Sequence, residues 1–338
     1  MINKNEIHKR WNFSAAKWRI LILAVFAILA LGACLLSLLQ GAVSVSVQEI
    51  GQALSGNLQG SSQQIIMNIR LPRTIVGALV GMNLALSGAI LQAVMKNPLA
   101  DPHIIGISSG AGLAGVTIMI LFPAAESLIA PVSFVGAMAA AAAVYVLAWK
   151  GGIRPVRVIL AGVAVSSFLG AGISGLLIFY SDRVHGALMW MVGGLAARSW
   201  PHVAIILPYA VVGLLLALAG ARHLNILQLG DETAKGLGLR VELTRILMTA
   251  IAAVLAASSV SVVGLLGFVG LIVPHAARLL IGSDYRFLLP ASALLGISVV
   301  TASDTFARTI FAPTELPVGI IMAAVGAPFF LFLLRREL

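Results

Sequence analysis

The sequence predicts an all-α, polytopic membrane protein with about ten transmembrane helices, forming a single domain over residues 1–338. Three observations predict it. Of the 338 residues, 60% are hydrophobic and only 10% are charged, whereas a soluble domain carries about 25% charged residues to face water. Apolar runs recur at the length, roughly 20 residues, that crosses a hydrocarbon core of about 30 Å, and mean hydropathy is +1.03. Lysine and arginine gather in the connections between alternate runs, the pattern of loops that stay on the cytoplasmic side.

Taken in order, the first span is expected over 18–40, behind a basic cytoplasmic tail, 1–17, that contains Lys4, Lys9, Arg10 and Lys17. The run is too long for a cleaved signal sequence and remains as an anchor. A second span, 71–95, opens at Pro72 and stops at "KNP", because proline removes a backbone donor and disfavours helix in the residue before it. The third to sixth spans are expected over 104–122, 128–149, 156–180 and 201–221. Between Arg245 and Arg278 no Lys, Arg, Asp or Glu interrupts the chain, yet Gly264, Gly267, Gly270 and Pro274 favour a turn or a broken helix. This stretch therefore divides into spans 245–262 and 264–282, followed by 287–307 and 316–334.

Charge supports that division. With ten spans and both termini inside, 17 of the 22 Lys and Arg residues fall on the cytoplasmic side, leaving Arg70, Arg73, Arg183, Arg198 and Arg308 outside. Merging 245–282 would reverse the later loops and move Arg278, Arg286, Arg335 and Arg336 outside, against the positive-inside bias. The net charge of +10 thus reads as an orientation signal, not as a nucleic-acid surface. Gly77 and Gly81, then Gly106 and Gly110, have the GxxxG spacing of close helix packing. Cys34, alone inside the first run, reads as a packing residue.

The chemistry missing from the sequence narrows the function. No G-x-x-x-x-G-K-[ST] phosphate loop, no H-E-x-x-H and no nucleophile elbow occurs. No metal site or catalytic residue is expected, and His275 reads as structural in preference to a metal or haem ligand. Ionisable groups at mid-membrane, the usual relay of proton- or sodium-driven carriers, are scarce. Asp304, near the outer end of the ninth span, is expected to pair with Arg308 one helical turn away.

A multi-span protein without its own energy motif needs a docking surface for a motor. The longest polar insert is "RHLNILQLGDETAKGLGLRVELTR", the coupling segment 222–244 and Arg245. Two short helical pieces, about 225–235 and 240–245, are expected to meet at "KGLGL". Leu224, Ile226, Leu227, Leu229, Leu237 and Leu239 would face water in a mere connection, so the segment reads as an interface. The second polar interruption, "KNPLADP", places a stiff elbow between the second and third spans.

"LGDETAKGLGL" resembles the coupling loop of the iron-siderophore, haem and cobalamin class of ABC importer permeases. "IRLPRTIVGALVGMNLALSGAILQ", "NPLADPHIIGISSGAG", "GFVGLIVPHAARLLIG", "DYRFLLP" and "ELPVGIIMAAVGAPFFLFLL" agree in order, over roughly residues 65–338. The resemblance implies a type II ABC importer permease architecture in the bacterial cytoplasmic membrane. It implies a second permease copy or paralogue, two ATP-binding subunits that hold ATP and Mg, and an extracytoplasmic substrate-binding protein. No cofactor is expected on this chain itself. Onto this sequence it carries ATPase coupling at Gly230, Asp231, Glu232, Thr233, Ala234, Lys235, Gly236, Leu237 and Gly238. It carries a cytoplasmic gate at Asn97 and Leu99, and binding-protein docking at Arg70, Arg73 and Arg308. The implied cargo is a ferric siderophore, with cobalamin or haem as alternatives on the same architecture and a proton-coupled transporter of bulky ligands as the rival mechanism.

Overall fold

The computed structural model describes the backbone of residues 4–337 except 42, 44, 151, 153 and 154, and the side chains outside 4–15, 332–334 and 336–337. Arg154, counted above among the basic residues, lies outside the described residues, as do the side chains of Lys4, Lys9, Arg10 and Arg336. The described residues are mostly helical and contain no strand. In order the helices are α1 (Lys4–Leu39), α2 (Val47–Leu54), α3 (Ser61–Gln64), α4 (Leu71–Val94), α5 (Ile107–Leu121), α6 (Ile129–Ala148), α7 (Pro155–Phe179), α8 (Val184–Val192), α9 (Trp200–Gln228), α10 (Asp231–Gly236), α11 (Val241–Val263), α12 (Val269–Ile281), α13 (Tyr285–Thr309) and α14 (Val318–Glu337). Seven helices are long and apolar enough to cross a membrane, and Ile107–Leu121, Val269–Ile281 and Val318–Leu331 are shorter apolar ones. These ten correspond one to one with the expected spans. The expected tail is itself helical from Lys4.

α4 is the axis of the bundle. Almost its whole length is buried, with α13, α11, α9 and α12 packed around it. Its small residues make this possible. Gly81 faces the backbone of Gly296 on α13, while Gly110 on α5 faces Gly136 on α6, so the GxxxG glycines pack helices within the chain. At the periphery α6 and α7 expose large apolar side chains, Val146 at 73% and Phe168 at 78%, as helices facing hydrocarbon do.

Two short spans share one cause. The chain from Asn97 to Gly106 is irregular except for a 3-10 turn at Pro102–Ile105, and 264–268 is irregular between α11 and α12. Both segments enter the bundle, so α5 and α12 begin below its ends. Gly270 approaches Pro102, Asp101 and the Leu84 carbonyl, and Gly267 approaches His103. Non-helical backbone at such depth is stable only where protein covers it, and here the two segments cover each other. A Cβ on Gly88 would lie 1.9 Å from the Gly270 carbonyl oxygen, so any side chain there must part α4 from α12. Gly88→Val is expected to destabilise by at least the ~1–3 kcal/mol typical of overpacking. Gly32→Val, with nothing within 4 Å, is the neutral control, and thermal melting of the two purified variants separates them.

Polar contacts sort the connections onto two ends. Lys96–Asp231–Arg245 and Arg19–Asp284–Asn225 gather 95–101, 229–240 and 282–284 at one end. Arg73–Asp304–Glu315, Arg308–Ser37 and Trp200–Met67 gather 37–74, the start of α9 and 304–317 at the other. This grouping matches the ten-span parity.

Candidate functional site

At the first end, the elbow after α4 is held by its own side chains. Asn97 Oδ1 accepts a hydrogen bond from Leu99 N at 2.9 Å, and Asp101 Oδ1 accepts one from His103 N at 3.0 Å. These Asx turns, together with Pro98 and Pro102, leave the segment few alternative conformations. Lys96 opens it at φ 50°, in the left-handed region. Asn97 and Leu99, the expected gate pair, are half-buried in this elbow.

Beside it stands α10. Gly230, at φ 101°, turns the chain sharply after α9, and Asp231 and Glu232 occupy the first turn of α10, where carboxylates favour the helix dipole. Gly238, at φ 82°, ends it. The helical pieces expected over 225–235 and 240–245 are corrected accordingly. α9 continues to Gln228, the break falls at Leu229 and Gly230, and α11 starts at Val241. Burial carries α9 onward, because Leu224 and Leu227 are fully enclosed and Ile226 packs against the core. Of the six apolar residues expected at an interface, Leu229 and Leu237 are exposed, at 59% and 60%. They flank α10, whose Ala234 is fully buried as its anchor. Glu232 and Lys235 pair with each other at the exposed face.

Asp231 joins the two features. Its Oδ1 accepts from Lys96 Nζ at 2.7 Å and from Arg245 Nη2 at 2.9 Å. A single carboxylate thus ties α10 to the residue preceding Asn97 and to the first turns of α11. Desolvation pushes the Asp231 carboxyl upward, but hydrogen bonding by Lys96 and the charges of Arg245 and Lys96 outweigh it and hold the group below the ordinary carboxylate range. The neighbouring Asp284 is held low chiefly by Arg286, against partial desolvation and with help from Asn225. Lys96 and Arg245 border the elbow and the coupling segment in the sequence, but neither is among the expected site residues. The span parity did place both on the side of Asp231, which was the available signal.

The other end corrects one expectation. Asp304 does not pair with Arg308. Arg73 Nε and Nη2 donate to Asp304 Oδ2 and Oδ1, each at 2.9 Å, and Arg73 Nη1 donates to Glu315 Oε2 at 2.8 Å. A planar guanidinium matches a carboxylate with two parallel hydrogen bonds, a geometry Arg73 presents from α4 to the facing side of α13. Arg308 instead donates to the Ser37 carbonyl and, at 3.0 Å, to Ser37 Oγ. Arg70 donates to the carbonyls of Leu38 and Leu39 at 2.6 and 2.9 Å, and to that of Val43. The last carbonyls of a helix lack intrahelical partners, and these two arginines supply them at the end of α1. Arg70, Arg73 and Arg308, the residues expected at the docking site, all have partners within the fold. Each is at least nine-tenths buried, because each satisfies a group inside the fold. Beside them a cavity of about 720 Å³ is lined by Trp190, Arg198, His202, Glu126, Glu315 and Pro317 among others. Among the described residues no group of three His, Cys, Asp or Glu side chains could hold a metal.

Known proteins resemble this chain over most of its length. The model of the FecCD transport family matches residues 23–336. The cobalamin import system permease protein of Halobacterium salinarum is 47% identical over 276 residues, 81% of this chain and 74% of that protein. An Fe(3+)-citrate import system permease protein of Bacillus subtilis is 43% identical over 278 residues, 82% and 83% of the two chains. Among solved structures, a metal-chelate type ABC transporter in an inward-facing conformation superposes with a TM-score of 0.82 at 29% identity, covering 93% of this chain and 99% of that one.

Proposed function

The chain belongs to the FecCD transport family, and from that premise we propose that it is the membrane-spanning subunit of an ATP-driven importer that moves a ferric siderophore inward by alternating access. The observation that carries this reading is the bond of Asp231 to both Lys96 and Arg245. In this reading the end bearing α10 is cytoplasmic and both termini lie there. An ATP-binding subunit seats on the exposed Leu229 and Leu237, and displacement of α10 pulls the stiff elbow through Lys96, opening or closing the passage at Asn97 and Leu99. A second permease copy or a paralogue, two ATP-binding subunits and an extracytoplasmic binding protein complete the machine, with ATP and Mg held in the ATP-binding subunits. For the binding protein, Arg73 offers the exchangeable contact. Its outer partner Glu315 is partly exposed, so a carboxylate on the delivered protein competes with Glu315 for the guanidinium. Arg70 and Arg308 hold α1 in place behind it.

The Fe(3+)-citrate relative supports an iron chelate as cargo, and the 47% identity to a cobalamin permease supports the second reading, cobalamin on the same architecture. Uptake into proteoliposomes tests both. The chain, reconstituted with its ATP-binding subunits and binding protein, is expected to accumulate labelled ferric siderophore only with ATP inside. Uptake without the ATP-binding subunits would overturn the importer reading, and ATP-dependent uptake of cobalamin or haem alone would reassign the cargo.

A further inference from the structure

Lys96 of the Asp231 bridge also lines a cavity of about 330 Å³, far larger than the ~10–15 Å³ that holds one water. Lys96, Asn97, Gln228, His275, Arg278 and Tyr285 are among its lining residues, and no carboxylate is. Two permanent cations therefore face one concave space without an acidic side chain in its wall. Arg278 keeps one guanidinium nitrogen on Gln92 Oε1 at 2.8 Å. This contact orients the guanidinium and leaves other donors of the five-donor fork. Of the nearby acidic groups, Asp284 is engaged by Arg286 and Asn225, and Asp231, outside the cavity wall, holds Lys96 together with Arg245.

We propose that this cavity binds the phosphate group of an anionic ligand between Arg278 and Lys96. An arginine fork held in one orientation and a mobile lysine point charge are the pair of donors that phosphate oxygens favour. The chemistry is shared by free phosphate and by a lipid headgroup, and Leu279, which lines the cavity and is 61% exposed, offers an apolar rim that suits an acyl chain. Lys96 cannot serve Asp231 and a phosphate equally, so an occupied cavity loosens α10 from the elbow. This regulatory consequence rests on the transport reading above, whereas binding itself does not.

The test uses the full-length chain, purified in detergent and in lipid nanodiscs, with inorganic phosphate as one probe and phosphatidylglycerol as the other. Phosphorus NMR line broadening is expected to report saturable phosphate binding. Binding should weaken at least about tenfold, roughly 1.4 kcal/mol, in Arg278→Gln and in Ser283→Glu, the latter placing a negative charge at the exposed rim. If free phosphate does not bind but phosphatidylglycerol is retained in native mass spectra of the wild type and lost from both variants, the ligand is a lipid headgroup. Binding of neither probe, or binding unaltered by both substitutions, overturns the proposal. Ser283→Glu alone decides the matter if Arg278→Gln does not fold, because Ser283 is exposed and the substitution buries no new group.

Discussion

Asp231→Lys is expected to lower ATP-driven uptake by about tenfold or more, within the ~5–150-fold range of coupling between distinct sites, and adding Lys96→Asp is expected to restore a large part of it. The substitution sets three cations together where one carboxylate now joins two of them, so the elbow and α10 repel instead of moving as a unit. Arg245 remains beside Glu242 at 3.7 Å, which keeps its buried guanidinium compensated and the fold intact. Asp231→Asn removes the charge at nearly constant shape and should give an intermediate loss. ATP hydrolysis by the assembled complex should persist in both single variants, because α10 would still be seated while its pull on the elbow is lost. A charge swap that rescues uptake isolates the pairwise term from the effects of either residue alone. Equal uptake by wild type and Asp231→Lys would show that force reaches the passage by another route. The sign of the pH dependence follows from the depressed Asp231 carboxyl. A carboxylate whose value is lowered in the folded state keeps its bond in full above the ordinary value of about 3.9 and loses it only as pH falls through the lowered one. The ratio of wild-type to Asp231→Asn uptake should therefore stay constant between pH 5.5 and 7.5.

The spans were legible because their signal is local. Twenty apolar residues bounded by glycine, proline or charge describe a membrane helix without reference to anything distant, and the charge parity added the one piece of long-range information that divided 245–282 correctly. Helix ends were less legible where packing overrode composition. α9 runs past Arg222 because Leu224 and Leu227 are enclosed by other helices, which no window around residue 222 reveals. The polar contacts were the least legible. Asp304 was assigned to Arg308 by the rule for neighbours on one helical turn, yet its partner is Arg73, 231 residues away. In a bundle a helix end faces three or four others, and a buried carboxylate takes the guanidinium that offers both hydrogen bonds. The same limit hid Lys96 as the partner of Asp231. Both residues were visible as polar breaks on one side of the membrane, but their adjacency depends on how far α4 and α9 extend.

Arg73→Ala is expected to be the most damaging single substitution at the opposite end, through folding and not through chemistry. The Arg73 and Asp304 side chains are 8% and 3% exposed, so removing the guanidinium strands a carboxylate among α4 and α13. Breaking a buried pair in this way costs about 3–5 kcal/mol, a large fraction of a total stability of about 5–15 kcal/mol. The replacement of both members should behave differently. Arg73→Met with Asp304→Leu removes the need for compensation, and apolar replacements of buried ion pairs are often neutral or stabilising. Thermal melting of the purified proteins should therefore rank wild type and the double variant close together and Arg73→Ala far below. Glu315→Gln should lie near wild type, since its side chain is 42% exposed and a partly solvated ion pair contributes only ~0–1 kcal/mol. That variant matters for another reason. If Glu315 competes with a carboxylate of the binding protein for Arg73, its neutralisation should tighten docking without altering stability, measured as slower dissociation of the binding protein at low salt. Unchanged melting of Arg73→Ala would mean that the pair is not buried as described. Unchanged docking by Glu315→Gln would remove Arg73 from the docking surface and leave it, with Arg70 and Arg308, as the clasp that holds α1, α4 and α13 together.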